Sequence, residues 1–110
     1  MINWERVATL REEVGAEDFD EILALFLEEV DSAISELSEA ENQTGLEEKL
    51  HFLKGSALSL GFDHFSALCQ NGETAISQDA GATIDLDEIR VSYAESRRVF
   101  VKEVAMKLAG

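Results

Sequence analysis

No proline interrupts the 110 residues, and apolar side chains recur along them at helical intervals. Proline is the strongest breaker of a helix interior, so its absence leaves long helices free to form. Leu46, Leu50, Leu53, Ala57 and Leu60 step by four, three, four and three, which makes one stripe on a 3.6-residue period. Phe19, Leu23, Phe26, Val30, Ile34 and Leu37 repeat the pattern upstream. Ile22, Leu27 and Ala33 widen that stripe, as suits a helix with two neighbours.

These periods predict an all-α chain. A short helix starts behind an Asn3 cap, carries Trp4, Val7, Ala8, Leu10, Arg11 and Val14, and stops at Gly15. A second helix is expected over 17–41. A connection at Asn42–Gly45 follows, with Thr44 and Glu47 spaced as a capping box for the third helix. The third helix ends at Gly61. Asp63 is expected to cap a fourth helix over 64–79 that buries Phe65, Leu68, Cys69, Gly72, Ala75 and Ile76. After a loop at 79–85, Asp85 or Thr83 caps a closing helix over 86–109, with Leu86, Ile89, Tyr93, Phe100, Val104 and Leu108 on its stripe. The expected architecture is an up-down-up-down four-helix bundle with a short additional N-terminal helix, forming one domain over 1–110.

Composition sets the remaining bounds. With 45% hydrophobic residues, the chain can build a core without disulfides or metals. Cys69 is its one cysteine and is expected as a small buried hydrophobe, which suits a reducing cytoplasm. A net charge of −14 argues against nucleic acid and anionic membranes as partners. Residues 12–48 hold 14 acidic side chains and no basic one, a solvated face that can also steer a partner. No apolar run reaches membrane-spanning length, and the N-terminus lacks the pattern of a signal peptide.

The third helix carries the chemistry. His51 lies about 100° round from Leu50, off the apolar stripe and toward water. Lys54 and Gly55 follow at three and four residues, on the same face. A glycine inside a helix costs about 1 kcal/mol relative to alanine. A bare patch one turn from an exposed imidazole gives a reason to keep it. His64 sits at the start of the fourth helix with no motif around it. No H-x-x-x-H or C-x-x-C spacing suggests a metal, and no phosphate-binding glycine loop suggests ATP.

The string His51, Leu53, Lys54, Gly55, Ser56, Leu60 and Gly61 resembles the signature of histidine-containing phosphotransfer (HPt) domains. Leu68, Cys69 and Glu73 resemble the pattern that follows it. The resemblance implies a phosphorelay protein with no kinase activity and no cofactor of its own. His51 would accept and donate a phosphoryl group, through Nε2. Lys54 and Gly55 would support the phosphate and contact the partner, and Leu58 would help anchor it. Spacing alone leaves open whether Leu58 is exposed or buried against the fourth helix, and gives Ser56 no firm role. The implied partners are a hybrid histidine kinase and the receiver domain of a response regulator. The receiver would supply the aspartate and Mg²⁺. A free-standing monomer is expected. The competing readings are a helical-bundle interaction module that carries no phosphate, and an enzyme using His51 as acid or base. The second lacks any partner group at a recognisable spacing.

Overall fold

The computed structural model describes residues 2–37, 43–79 and 83–108. They form five helices: α1 (Trp4–Val14), α2 (Ala16–Ser35), α3 (Gln43–Leu60), α4 (Asp63–Gln78) and α5 (Leu86–Lys107). Helices α2 to α5 make the up-down-up-down bundle, and α1 packs against α2 and α3. There is no β-strand among the described residues; one isolated antiparallel bridge pairs Ile2 with Phe62.

The apolar stripes become the core. Leu46, Leu50, Leu53, Ala57 and Leu60 of α3 are all buried, facing Phe65, Cys69 and Ile76 of α4 and Phe100 of α5 within one cluster. Phe62 lies edge-on to Phe100 at 5.3 Å between centroids, and Trp4 stacks on Phe100 at 5.8 Å. Trp4 is therefore a core anchor, as its place on α1 suggests. Burying a large apolar side chain contributes roughly 1.5–3 kcal/mol, so these rings and leucines dominate stability.

Caps follow the chemistry of the chain. The Asn3 side chain accepts from the Arg6 N–H at 3.1 Å, and Asp85 accepts from the Glu88 N–H at 3.0 Å. Gly15 ends α1 at φ +87, where glycine carries no Cβ penalty. Several boundaries differ from the expectation. α2 ends at Ser35 instead of 41; Leu37 still enters the core, but from non-helical backbone, and 38–41 lie outside the described residues. Gln43, Thr44 and Gly45 belong to α3 and not to a connection, so Thr44 is not its N-cap, while Asn42 lies outside the described residues. Phe62 occupies the N-cap position of α4, and Asp63 is its first residue, because Gly61 at φ +76 completes the turn one residue earlier. The expected loop falls partly on 80–82, outside the described residues, and α5 ends at Lys107, short of the expected 109, with Leu108 at its C-cap.

A polar clasp joins α2 to α5. Asp31 accepts from the Tyr93 hydroxyl and from Arg97 Nε at 3.1 Å. Burial and the Asp31 charge push the Tyr93 phenol above its usual range. Cys69 is fully buried, and burial, with the charge of Glu73 second, pushes its thiol up to about 12. The thiolate is the reactive form. Folded protein is therefore expected to resist iodoacetamide at pH 8, and to react in denaturant; mass spectrometry of the alkylated chain checks this.

Candidate functional site

The α3 helix presents a face left uncovered by its neighbours. With Leu50 and Leu53 fully buried, the 100° step per residue turns His51 outward, and its side chain is 68% exposed. Phe52 beside it is 44% exposed, and Leu58, two turns on, is 52% exposed. The structure thus decides the question that spacing left open for Leu58: it faces solvent. Ser56 is buried, on the side of α3 away from the exposed stripe. A Cβ built on Gly55 meets nothing within 4 Å, so this glycine stands beside open space.

One contact from α4 organises the histidine. Nδ1 of His51 lies 2.8 Å from Oε2 of Glu73. An ionised carboxylate only accepts, so Nδ1 carries the proton and donates it. In the neutral ring the lone pair is then on Nε2, which has no hydrogen-bond partner among the described residues. The other Glu73 oxygen, Oε1, is 3.0 Å from Nζ of Lys54 in an ion contact that lacks the alignment of a hydrogen bond. One carboxylate thus bridges the imidazole and the ammonium, and its side chain is only 19% exposed.

The charge balance on Glu73 follows from that bridge. Partial burial pushes its carboxyl up, but contacts with Lys54 and His51 outweigh burial and hold it below the usual range. A carboxyl lowered in the fold adds stability above the unfolded value. That contribution is lost as pH falls through the folded value. The bridge is therefore intact at neutral pH and fails on acidification.

Gly72 explains how α4 comes close enough. A Cβ there would lie 2.9 Å from Cδ1 of Leu50 and 3.4 Å from Cγ2 of Ile84. The missing side chain lets α4 close on α3 at Leu50, one residue before His51. Glu73, one residue after Gly72, then reaches the ring. Glu73 is the site residue that spacing did not assign. His51 and Glu73 are 22 positions apart on different helices, and only the register of α3 against α4 joins them.

The predicted residues fall in two groups. His51, Lys54 and Gly55 come together with Glu73 on one surface, and Leu58 continues it along α3. His64 is exposed in the first turn of α4, and among the described residues it shares no hydrogen bond or ion pair with this group. No cluster of three or more metal-ligating side chains occurs among the described residues, and no helix there is long and apolar enough to cross a membrane.

Comparison with known proteins addresses the same surface. The phosphorelay protein LuxU of Vibrio vulnificus, in strains YJ016 and CMCP6, is 36% identical over 72 residues. That match covers 63% of this chain, and the chain spans about 60% of the length of those relatives. No solved structure matches the chain significantly. The profile described as "Hpt domain" matches residues 21–108, which include α3, α4 and the whole His51 surface. The chain belongs to the Hpt domain family.

Proposed function

We propose that the chain is a phosphotransfer intermediate of a two-component phosphorelay, in which His51 exchanges a phosphoryl group with the aspartate of a response-regulator receiver domain. The observation that carries this reading is the His51 ring itself: 68% exposed, tied at Nδ1 by Glu73, and set beside the open space over Gly55. Such a ring offers Nε2 as nucleophile to an approaching phosphorus atom. Phosphoryl transfer is chiefly a matter of positioning and charge compensation. A rigid helix supplies the first and Lys54, one turn away, the second.

The division of labour follows from the chemistry. The donor brings a reactive acyl phosphate, and Mg²⁺ on the receiver offsets the phosphoryl charge. This chain then needs neither ATP nor a metal of its own. A hybrid histidine kinase is the proposed source of the phosphoryl group. Phe52 and Leu58, each exposed beside the site, supply apolar surface against which the receiver can rest. The similarity to LuxU, named a phosphorelay protein, supports the same reading.

Gly55 tests the positioning argument. Gly55→Leu fills the open space while giving α3 a better helix former, which raises stability by about 1 kcal/mol. Transfer from a phosphorylated receiver is expected to slow on the order of a hundredfold. Chemical denaturation and single-turnover transfer, measured on one preparation, separate the two effects. Unchanged transfer would remove clearance as the role of Gly55.

A further inference from the structure

Two grooves flank α3, and they differ in charge. We infer that the groove on the α2 side takes a lysine- or arginine-bearing element of the receiver domain, so that Glu29 and Glu48 determine which receivers the chain accepts. This rests on the phosphotransfer reading above.

Leu25, Glu29, Ser32 and Glu36 step by four, three and four along α2 and form one exposed strip. Gly45, Glu48, Lys49 and Phe52 of α3 stand opposite, and the space between is a groove of about 630 Å³. Ala33 and the half-exposed Phe52 ring give it apolar lining, and the exposed Leu25 lies one turn beyond Glu29 on the same strip. Glu29, Glu36 and Glu48 add three carboxylates, and among the described residues none of the three is in an ion pair. Lys49 donates to the Glu36 carbonyl oxygen at 3.3 Å. The rest of α2 adds further acidic side chains and no basic one.

The groove on the α4 side is different. It measures about 390 Å³ and is lined by Glu47, Gln70, Glu73, Thr74, Ser77 and Gln78. Its Glu73 is already bridged to His51 and Lys54. Amides and hydroxyls make up most of the remainder, so this side asks little of a partner's charge.

A receiver centred on His51 meets the α2 groove at once, because Phe52 is the next residue and Glu48 lies three before. Lysine or arginine side chains fit it twice over: their stems lie along the Phe52 ring and their heads reach the carboxylates. A carboxylate presented there meets like charge in an interface that excludes water. Exposed attractive pairs are individually weak, whereas like charges placed together are costly, so the groove rejects wrong receivers more than it holds right ones. The phosphoryl group is itself anionic, so these carboxylates do nothing for its transfer. Their effect falls on encounter and affinity and leaves the bond-breaking step alone.

The test uses the full chain and purified receiver domains loaded with acetyl phosphate and Mg²⁺. The panel spans receivers whose face around the phosphoacceptor aspartate is basic and others in which it is acidic. Single-turnover transfer is followed against receiver concentration. Wild type is expected to reach half-saturation at lower concentrations of the basic receivers. Glu29→Lys combined with Glu48→Lys is expected to raise that concentration about tenfold for basic receivers and to lower it for acidic ones, with the saturating rate within about twofold of wild type. Glu88→Lys combined with Glu95→Lys makes the same change in net charge on exposed positions of α5, which lines neither groove, and should leave half-saturation within about twofold. Phosphoramidate, a donor too small to need the groove, should label the Glu29/Glu48 variant no more slowly than wild type, as a merely structural role would not allow. A rise below about threefold, an equal rise in the α5 control, a loss confined to the saturating rate, or a wild type that prefers acidic receivers overturns the inference. If circular dichroism shows the lysine pair unfolded, Glu29→Gln combined with Glu48→Gln decides, and a rise below about twofold there is fatal. Failure of phosphoramidate and of every receiver to label folded wild type would instead sink the phosphotransfer reading, and the inference with it.

Discussion

His51→Gln is expected to abolish the acid-labile phosphoryl label while leaving the bundle folded. Glutamine keeps the length and polarity of the side chain but offers no nucleophilic ring nitrogen. The thermodynamic cost should be small for a physical reason. The imidazole is 68% exposed, and its one described contact is the Glu73 pair. Exposed pairs of this kind are typically worth about 0–1 kcal/mol. A melting temperature within several degrees of wild type is therefore expected, since about 1 kcal/mol shifts a domain of this size by roughly 4–8 °C. Autoradiography after neutral electrophoresis, paired with a thermal melt, reads both quantities. Label persisting in the variant would move the phosphoacceptor elsewhere, with His64 the first candidate.

Gly61→Ala is expected to have the largest effect on stability among single-atom additions near α3. Gly61 stands at φ +76, where an L side chain costs roughly 1–2 kcal/mol. The added Cβ would fall 2.5 Å from the backbone oxygen of Asn3 and 3.2 Å from Cγ2 of Val7. Neither neighbour can yield easily. Asn3 is held by its own N–H donating to the Gly61 carbonyl at 2.6 Å, and Val7 is fully buried. Relief of the clash breaks that hydrogen bond, worth about 1 kcal/mol, and lifts α1 from the end of α3. The sum is a loss of about 2–4 kcal/mol, read as a lower urea midpoint. Ten residues of helix, about 15 Å, separate Gly61 from His51. Transfer per folded molecule should therefore stay close to wild type. A loss below about 0.5 kcal/mol would show that the Asn3–Gly61 seam does not hold α1.

Particular residues show what could be read from the chain. The five apolar positions of α3 are all buried because a 3.6-residue period leaves little choice of inward face. Asn3 and Asp85 cap their helices because a short polar side chain before an apolar period has few better uses. The same period located His51 on the outside. Three things were not readable. The stripe of α2 runs on through Leu37, which is buried, so periodicity could not show that helical backbone stops at Ser35. Phe62 displaced Asp63 from the cap because the left-handed turn at Gly61 brings the Phe62 N–H back to the Ala57 carbonyl at 2.9 Å. The Glu73 bridge depends on how closely α4 approaches α3, which Gly72 and the Leu50 methyl determine. Register between helices is a tertiary property, and no spacing within one helix encodes it.

The most direct measurement is to locate the phosphoryl group by mass spectrometry at neutral pH, after mixing the chain with phosphorylated receiver domains. A single phosphorylated peptide carrying His51 is the result expected from an exposed ring with Nε2 free and Nδ1 engaged by Glu73. A modified His64, or a chain that binds receiver and stays unmodified, would contradict the account.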